Sequence, residues 1–270
     1  MDPLVLAIEC DPAVDVICTP EYVNELFETQ VVFSIGGFDV NRAMLLMLLA
    51  AFVTIGLLFF AYRRARVVPT KYGVAVEGMV GFVRDEIAIG IIGPEGIRYF
   101  PYLLSLFLFI LVGNFFEITP FVNFPITSRM AIPAFLALLT WVIFIFVGFA
   151  KNGFRYFADI VWPRSVPIFL RPLVGLIEFF STFLLRPLTL AVRLFANLVA
   201  GHVMLSLLLV SGFIFIKSVG DIGARSVIGV GWFTIGLAIF LFEVVVSILQ
   251  AYIFTLLSAV YIQTSVHPEH

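Results

Sequence analysis

Charged residues are scarce in this sequence of 270 residues. They account for 13% of the chain and hydrophobic residues for 61%, whereas soluble domains contain about 25% charged and roughly 45 to 50% apolar residues. A water-soluble fold of this size could not bury so much apolar surface. Several charge-free runs near or beyond the ~18 residues that mark a spanning helix instead predict an integral membrane protein surrounded by lipid.

Basic residues are absent from residues 1–41, which contain eight acidic side chains. A secretory signal needs a positively charged segment followed directly by a short apolar core, so we expect no cleaved signal peptide. The same segment contains both cysteines, Cys10 and Cys18. They can form a disulfide on an oxidising side of the membrane or remain two thiols, and two cysteines alone do not have the spacing of a metal site.

Histidines and nucleotide-binding motifs are equally scarce. Only His202 lies in a long apolar run, because His267 and His270 are at the end of the chain. A haem held by two histidines within the membrane is therefore excluded. No G-x-x-x-x-G-K-[ST] loop occurs, so we expect no ATP chemistry on this chain, no cofactor, no metal and no nucleic acid partner.

The apolar runs predict an all-α integral membrane fold with about five membrane helices and one interfacial amphipathic helix. The predicted segments are an acidic external segment (1–41), a first transmembrane helix (42–66), an amphipathic interfacial helix with its connector (67–98), a transmembrane hairpin with an outer acidic loop (99–150), a basic cytoplasmic loop (151–171), a tilted membrane hairpin (172–266) and a cytoplasmic tail (267–270). The amphipathic helix either lies in the membrane interface or packs as a connector.

Two basic clusters indicate the orientation of the chain. Residues 63–71 follow the first predicted span and residues 151–171 follow the third, and both stretches are rich in Lys and Arg. The positive-inside rule places such clusters in the cytoplasm. We therefore expect the N-terminus outside and the C-terminus in the cytoplasm.

The last two apolar runs, residues 187–216 and 226–266, are longer than a membrane is thick. As helices they would measure about 45 and 60 Å, against a hydrocarbon layer of ~30 Å. We therefore predict that they form a long, strongly tilted helical hairpin.

Tyrosines apart, Arg193, His202 and Glu243 are the ionisable residues within these two runs. A charge at membrane depth costs at least ~2.5 to 3.5 kcal/mol and is functional by default. Arginine stays protonated, so Arg193 can attract a carboxylate and block protons but cannot relay one. The alternative is an arginine that extends back to the cytoplasmic interface.

His202 and Glu243 are expected at a similar depth if the two runs are antiparallel. His202 lies nine residues beyond Arg193, and Glu243 lies seven residues from Gln250, which corresponds to rises of about 13 and 10 Å. A titratable pair of this kind is typical of a proton pathway. However, nine residues turn a helix by about 180°, so His202 does not share the face of Arg193 in a regular helix. Either the helix curves around its partner, or the two residues serve different compartments.

A line of polar side chains accompanies the charged residues. Glu243, Ser247 and Gln250 have the spacing i, i+4 and i+7, and Asn197 follows Arg193 by four residues. Residues at this spacing share one face of a helix. Such a line on an otherwise apolar helix predicts a hydrated pathway.

Three motifs resemble one known family. They are Arg193-Leu-Phe-Ala-Asn-Leu-Val-Ala-Gly-His202, Phe242-Glu-Val-Val-Val-Ser-Ile-Leu-Gln-Ala-Tyr-Ile-Phe254 and Asn114-Phe-Phe-Glu-Ile-Thr-Pro120. Together they resemble the signature, the last helix and the outer acidic motif of subunit a of the F-type ATP synthase. The resemblance covers roughly residues 33–266.

The resemblance implies a role for each matching residue. Arg193 is similar to the essential stator arginine that faces the carboxylates of the rotating c-ring, with Asn197 and Gln250 as its polar neighbours. His202 and Glu243 are similar to the pair in the outer half-channel. The other implied path residues are Glu117 and Asp39 at the outer mouth, Ser247 on the polar line, and Glu178 before the arginine helix.

The resemblance also implies partners and a location. It predicts a non-catalytic membrane subunit of an H⁺-transporting ATP synthase, in contact with the c-ring, the b subunits of the peripheral stalk, the rest of the F1Fo complex and the lipid bilayer. The expected location is a bacterial plasma membrane. The alternative is a stand-alone proton- or sodium-coupled transporter, which would usually have inverted repeats and broken helices; we find no internal repeat.

Overall fold

The structure, a computed structural model, describes residues 15, 17, 31–35, 38–62, 71–119, 130–162, 166–218, 220, 223 and 226–266. Its elements are strands β1 (Val31–Ile35) and β2 (Phe38–Asn41) and helices α1 (Arg42–Tyr62), α2 (Lys71–Phe82), a π-helix (Val83–Ile92), a 3₁₀ helix (Pro94–Arg98), α3 (Phe100–Ile118), α4 (Ala131–Asn152), α5 (Phe154–Val161), α6 (Arg171–Phe180), a second π-helix (Ser181–Leu185), α7 (Arg186–Lys217) and α8 (Ser226–Val266). Cys10, Cys18 and the predicted tail at 267–270 lie outside the described residues.

Long apolar helices dominate this part of the chain. Three stretches are long and apolar enough to cross a membrane, namely Ala131–Asn152, Arg171–Lys217 and Ser226–Val266, and two shorter apolar helices cover Met44–Phe60 and Phe100–Phe116. These residues are helical because lipid offers no partners to the backbone, and a helix satisfies its N–H and C=O groups internally. The predicted all-α membrane class with about five apolar helices is confirmed.

The short hairpin of β1 and β2 was not anticipated from the sequence. Its strands are antiparallel, with Ser34 opposite Asp39 and Ile35 opposite Phe38. The residues fit this structure, because valine and phenylalanine favour strands and a Gly-Gly pair at 36–37 is a hairpin signal. The acidic character of the surrounding segment obscured that pattern.

The chain divides into two compact units. Unit 1 contains Met1–Met47, Gly113–Ser128 and Ala196–Ile248, and unit 2 contains Leu48–Val112, Arg129–Phe195 and Leu249–His270. Each unit is described separately below.

In unit 1, glycines bring α7 and α8 into close antiparallel contact. A Cβ added at Gly212 would lie 2.8 Å from the backbone nitrogen of Phe233, and one added at Gly229 would lie 2.9 Å from the backbone nitrogen of Ile216. Residue numbers thus rise on α7 as they fall on α8. Small residues allow this approach in membrane proteins, and the predicted helical hairpin is confirmed.

In unit 2, polar contacts and aromatic rings join α3, α4, α5 and α8. The Tyr102 hydroxyl on α3 and the Thr140 hydroxyl on α4 are 2.7 Å apart. The Phe144 ring on α4 packs on the Tyr261 ring of α8, with 5.7 Å between centroids. Gly153, with φ 59°, lies between α4 and α5 and turns the chain there, because this left-handed conformation costs glycine little.

Candidate functional site

Arg193 lies on the exposed side of α7 in unit 2. Leu190 and Leu194 on the same helix are fully buried, whereas Arg193 and Val192 are exposed. Within the described part of the chain, Arg193 forms no salt bridge. A permanent cation is therefore directed away from the rest of unit 2, on an otherwise apolar stretch of helix.

Glu243 and Gly201 meet at the contact between α8 and α7 in unit 1. Glu243 is 7% exposed and His202, the residue after Gly201, is 4% exposed. A Cβ added at Gly201 would lie 2.5 Å from the carboxyl carbon of Glu243 and 2.7 Å from its Oε2. The absence of a side chain at position 201 therefore makes room for this carboxylate directly beside the backbone that carries His202.

Asn114 on α3 is a site residue to which the sequence analysis gave no role. It is completely buried in unit 1, and its Nδ2 donates a hydrogen bond of 3.2 Å to the backbone oxygen of Ser247. Within the described part of the chain, Asn114 Oδ1 and Ser247 Oγ are buried without a hydrogen-bond partner. Its sequence signal was an amide inside an apolar run, three residues before Glu117 and so on the same helix face.

Such unsatisfied groups are informative because leaving one buried costs about 1 to 3 kcal/mol. A buried polar site of this kind is commonly satisfied by an ordered water molecule that bonds to several groups. Ser247 follows Glu243 by one helical turn. The buried polar atoms of Asn114 and Ser247 can therefore extend a hydrogen-bonded path from the Glu243 carboxylate.

Gln250 gives α8 a similar group in unit 2. Its side chain is 5% exposed, and its Nε2 has no hydrogen-bond partner within the described residues. Thr255 and Ser258, also buried on α8, differ because each hydroxyl donates to the backbone oxygen four residues earlier, at 2.8 Å. Their hydrogen atoms are used locally, whereas the Gln250 amide has N–H groups available to a further partner.

The remaining predicted residues occupy more open positions. Asn197 on α7 and Glu178 on α6 are half-buried, and Asp39 on β2 is exposed. Glu117 belongs to the last turn of α3, and its side chain lies outside the described residues. The structure thus brings Glu243 and Ser247 together with Asn114 and the backbone of Gly201 in unit 1.

Metal chemistry has no evident site in the described part of the chain. Those residues contain no group of three or more His, Cys, Asp or Glu side chains that could hold a metal ion. The polar groups described in unit 1 are instead a buried carboxylic acid, an imidazole, an amide and a hydroxyl, and those in unit 2 include an exposed cation and a buried amide. Side chains of these types are able to bind, orient or pass protons.

Comparison with known proteins shows the family of the chain. The family described as "ATP synthase A chain" matches residues 44–263, which is most of the chain. The protein therefore belongs to the family of ATP synthase subunit a, an integral membrane family of ATP synthesis and proton transport.

Individual relatives cover nearly the whole chain. ATP synthase subunit a of Frankia alni is 39% identical over 255 residues, covering 92% of this chain and 86% of the relative. The protein of the same name from Rhodococcus erythropolis is 37% identical over 251 residues, covering 92% and 90%. That of Maricaulis maris is 35% identical over 254 residues, covering 90% and 96%.

Proposed function

We propose that this chain is the proton-translocating stator subunit of an F-type ATP synthase. In this role it provides two offset half-channels to a c-ring and couples proton flow to ring rotation and ATP synthesis. ATP chemistry belongs to other subunits, and this chain contributes as a non-catalytic membrane component. Its family and the polar groups on α7 and α8 support this role.

The observation that carries the proposal is the exposed position of Arg193. A charged side chain within the membrane costs several kcal/mol unless it is paired, and no described residue forms a salt bridge with it. The missing counter-charge is then a carboxylate on another subunit. A c-ring carboxylate passing through the membrane in front of α7 meets this requirement.

The outer half-channel consists of the polar groups of unit 1. Asp39 and Glu117 lie at its outer mouth, and His202 and Glu243 form its titratable pair. Ser247 and Asn114 continue the path by hydrogen bonds, as their buried and unsatisfied oxygens suggest. Burial of Glu243 beside Gly201 keeps the carboxyl group close to α7.

The inner half-channel opens near Glu178 and the cytoplasmic loops, and Arg193 separates the two paths. A c-ring carboxylate that arrives beside the guanidinium loses its proton, because the neighbouring positive charge favours its ionised form. The buried amide of Gln250, whose Nε2 has no partner within the described residues, is suited to donate a hydrogen bond to that ionised carboxylate. After rotation the carboxylate is reprotonated from the other half-channel.

A permanent cation suits this position for an energetic reason. Each proton that crosses ~100 mV releases about 2.3 kcal/mol, so several protons are needed for one ATP and direct leakage would waste the gradient. Arginine does not release its proton under cellular conditions. It can therefore stop protons from passing directly between the half-channels and still bind a carboxylate.

The proposed assembly contains the c-ring, the b subunits of the peripheral stalk and the rest of the F1Fo complex, within lipid. The orientation derived from the basic clusters places the N-terminus outside a bacterial plasma membrane and the C-terminus in the cytoplasm. The many exposed apolar side chains, such as Phe52, Phe146 and Leu241, are suited to lipid.

The test is replacement of Arg193 by alanine in the complete ATP synthase. We expect ATP synthesis driven by a proton gradient to fall to background, and passive proton leakage through the membrane part to persist or increase. Arg193→Lys keeps a positive charge but not the planar guanidinium, and should remain strongly impaired. ATP synthesis at the unsubstituted rate in Arg193→Ala membranes would refute the proposal. The exposed apolar residue beside it, changed as Val192→Ala, is the control.

A further inference from the structure

The C-terminal end of α8 is bonded to two other helices of unit 2. Asn152, at the end of α4, donates from Nδ2 to the backbone oxygen of Ser265 at 3.1 Å. The hydroxyls of Tyr156 on α5 and Ser265 are 3.0 Å apart. These bonds fix the end of α8 to α4 and α5. The portion of α8 that belongs to unit 2 begins at Leu249, and that side chain is exposed.

Tyr261, one turn before Ser265, connects the end of α8 to α7 as well. Its ring packs on the Phe144 ring of α4. The guanidinium carbon of Arg186, the first residue of α7, lies 5.4 Å from the centroid of the Tyr261 ring. This geometry is a cation–π contact, which holds the cation over the ring.

Arg186 shares a helix face with Arg193. Seven residues separate them on α7, which corresponds to two turns, a rise of about 10.5 Å and a net rotation of only about 20°. A movement of α7 that takes Arg186 off Tyr261 therefore also changes the direction or height of Arg193. One residue of slip would turn it by about 100°.

The element before α7 favours a stabilising contact at this position. Residues Ser181–Leu185 form a π-helix, which interrupts the regular i to i−4 bonding between α6 and α7. The π-helix therefore offsets the faces of α7 from those of α6, although Arg171–Lys217 is one continuous helical stretch. A side-chain contact at Arg186, directly after the π-helix, can hold that offset.

Tyr156 supports the attachment from α5. Its ring packs against Gly148, where an added Cβ would lie 2.6 Å from Cζ. Burial raises the pKa of Tyr156 above its ordinary value of 10.0; its bond to Ser265 and the charge of Arg186 oppose that rise and the charge of Glu178 adds to it. The hydroxyl thus stays protonated and bonded at physiological pH.

We propose that Arg186, Tyr261, Ser265 and Tyr156 form a clamp that sets the rotation of α7 and thereby the direction in which Arg193 faces the rotor. These four are positioning residues rather than proton carriers. The inference rests on the function proposed above, because it gives the direction of Arg193 its importance. It gives Arg186 and the end of α8 a role in setting the rotation of α7. Neither lies within the three motifs of the sequence analysis.

The test compares ring removal with ring retention in membranes that contain the complete ATP synthase. Tyr261→Phe keeps the ring, so ATP-driven proton pumping should stay near its original rate. Tyr261→Leu removes the ring and should lower the ratio of pumping to ATP hydrolysis by about fivefold, the factor that a cation–π contact of ~1 kcal/mol represents. Arg186→Gln should give a similar loss while Arg186→Lys recovers part of it.

Tyr252→Leu is the matched control, because Tyr252 is also on α8 in unit 2 but packs on Phe82, at 5.6 Å between ring centroids. Immunoblots correct each rate for the amount of assembled subunit. Equal losses in Tyr252→Leu and Tyr261→Leu would show general packing and overturn the clamp. So would full coupling in both Tyr261→Leu and Arg186→Gln.

A direct measure of rotation separates the clamp from the function on which it rests. With Cys10 and Cys18 replaced by serine, Thr189→Cys on the exposed side of α7 should form disulfides with one preferred cysteine position on the facing c subunit helix. Tyr261→Leu should spread these cross-links over several positions and Tyr252→Leu should not. An unchanged pattern in Tyr261→Leu, together with failure of Arg193→Ala, would refute the clamp alone. Coupling retained in Arg193→Ala would refute the proposed function itself.

Discussion

Two stretches of α8 use polar side chains differently. In the middle of the helix, Glu243, Ser247 and Gln250 are buried, and Ser247 Oγ and Gln250 Nε2 lack partners within the described residues. Toward its end, Thr255 and Ser258 donate to carbonyls of their own helix. A polar side chain inside a membrane helix can thus be available to a proton path, or it can be bonded within its own helix. A hydrogen bond to the carbonyl four residues earlier distinguishes the second case from the first.

The largest effect is expected at the carboxylate. Glu243→Leu should lower ATP-driven acidification of inverted membrane vesicles by about two orders of magnitude, the contribution typical of a positioned proton-transfer group. Thr255→Val, nearer the end of α8, should leave acidification unchanged because its hydroxyl only bonds its own helix. If both variants pump at the same rate, the distinction between the two stretches fails.

A smaller loss of pumping, which tests one specific contact, is expected at Gly201. Gly201→Ala should push the Glu243 carboxylate away from its place beside α7, and we expect pumping to fall about tenfold, since displacements near 1 Å are costly at reacting groups. Combining it with Glu243→Asp, which shortens the acid, should restore part of the activity. Gly56→Ala is the control, because a Cβ there would meet nothing within 4 Å. Equal rates in Gly201→Ala and Gly56→Ala would contradict the contact.

The smallest effect concerns the hydroxyl and amide groups. Ser247→Ala and Asn114→Leu should each reduce pumping about fivefold, which corresponds to one lost hydrogen bond of ~1 kcal/mol. Ser258→Ala is the matched control and should pump normally, because its hydroxyl already donates to the Phe254 carbonyl. A loss in Ser258→Ala as large as in Ser247→Ala would mean that the unsatisfied atoms do not mark the path.

The membrane class and the hairpin were predictable because lipid imposes simple rules. Charge-free runs of sufficient length gave the apolar helices, and their excessive length gave the hairpin of α7 and α8. The charged residues within these runs were conspicuous for the same reason. In lipid, a charged residue has a high energetic cost wherever it lies in a spanning segment, so a sequence alone reveals it.

Contacts between residues that are distant in the sequence were harder to predict from the sequence. Asn114 was visible only as part of a motif, and its bond to Ser247 joins residues far apart in sequence. The place of Gly201 against Glu243 required the distance between two helices. Periodicity also left the surroundings of Arg193 and His202 unresolved, and in the structure the first is exposed and the second buried.

The glycine contacts in unit 1 have a consequence for where water and protons can pass. At Gly212 and Gly229, the backbones of α7 and α8 approach so closely that even a methyl group would overlap its neighbour. No file of water molecules fits between two such surfaces. Under the function proposed above, protons are therefore confined to the polar side chains, and we expect a larger residue at either glycine to part the two helices and admit water between them.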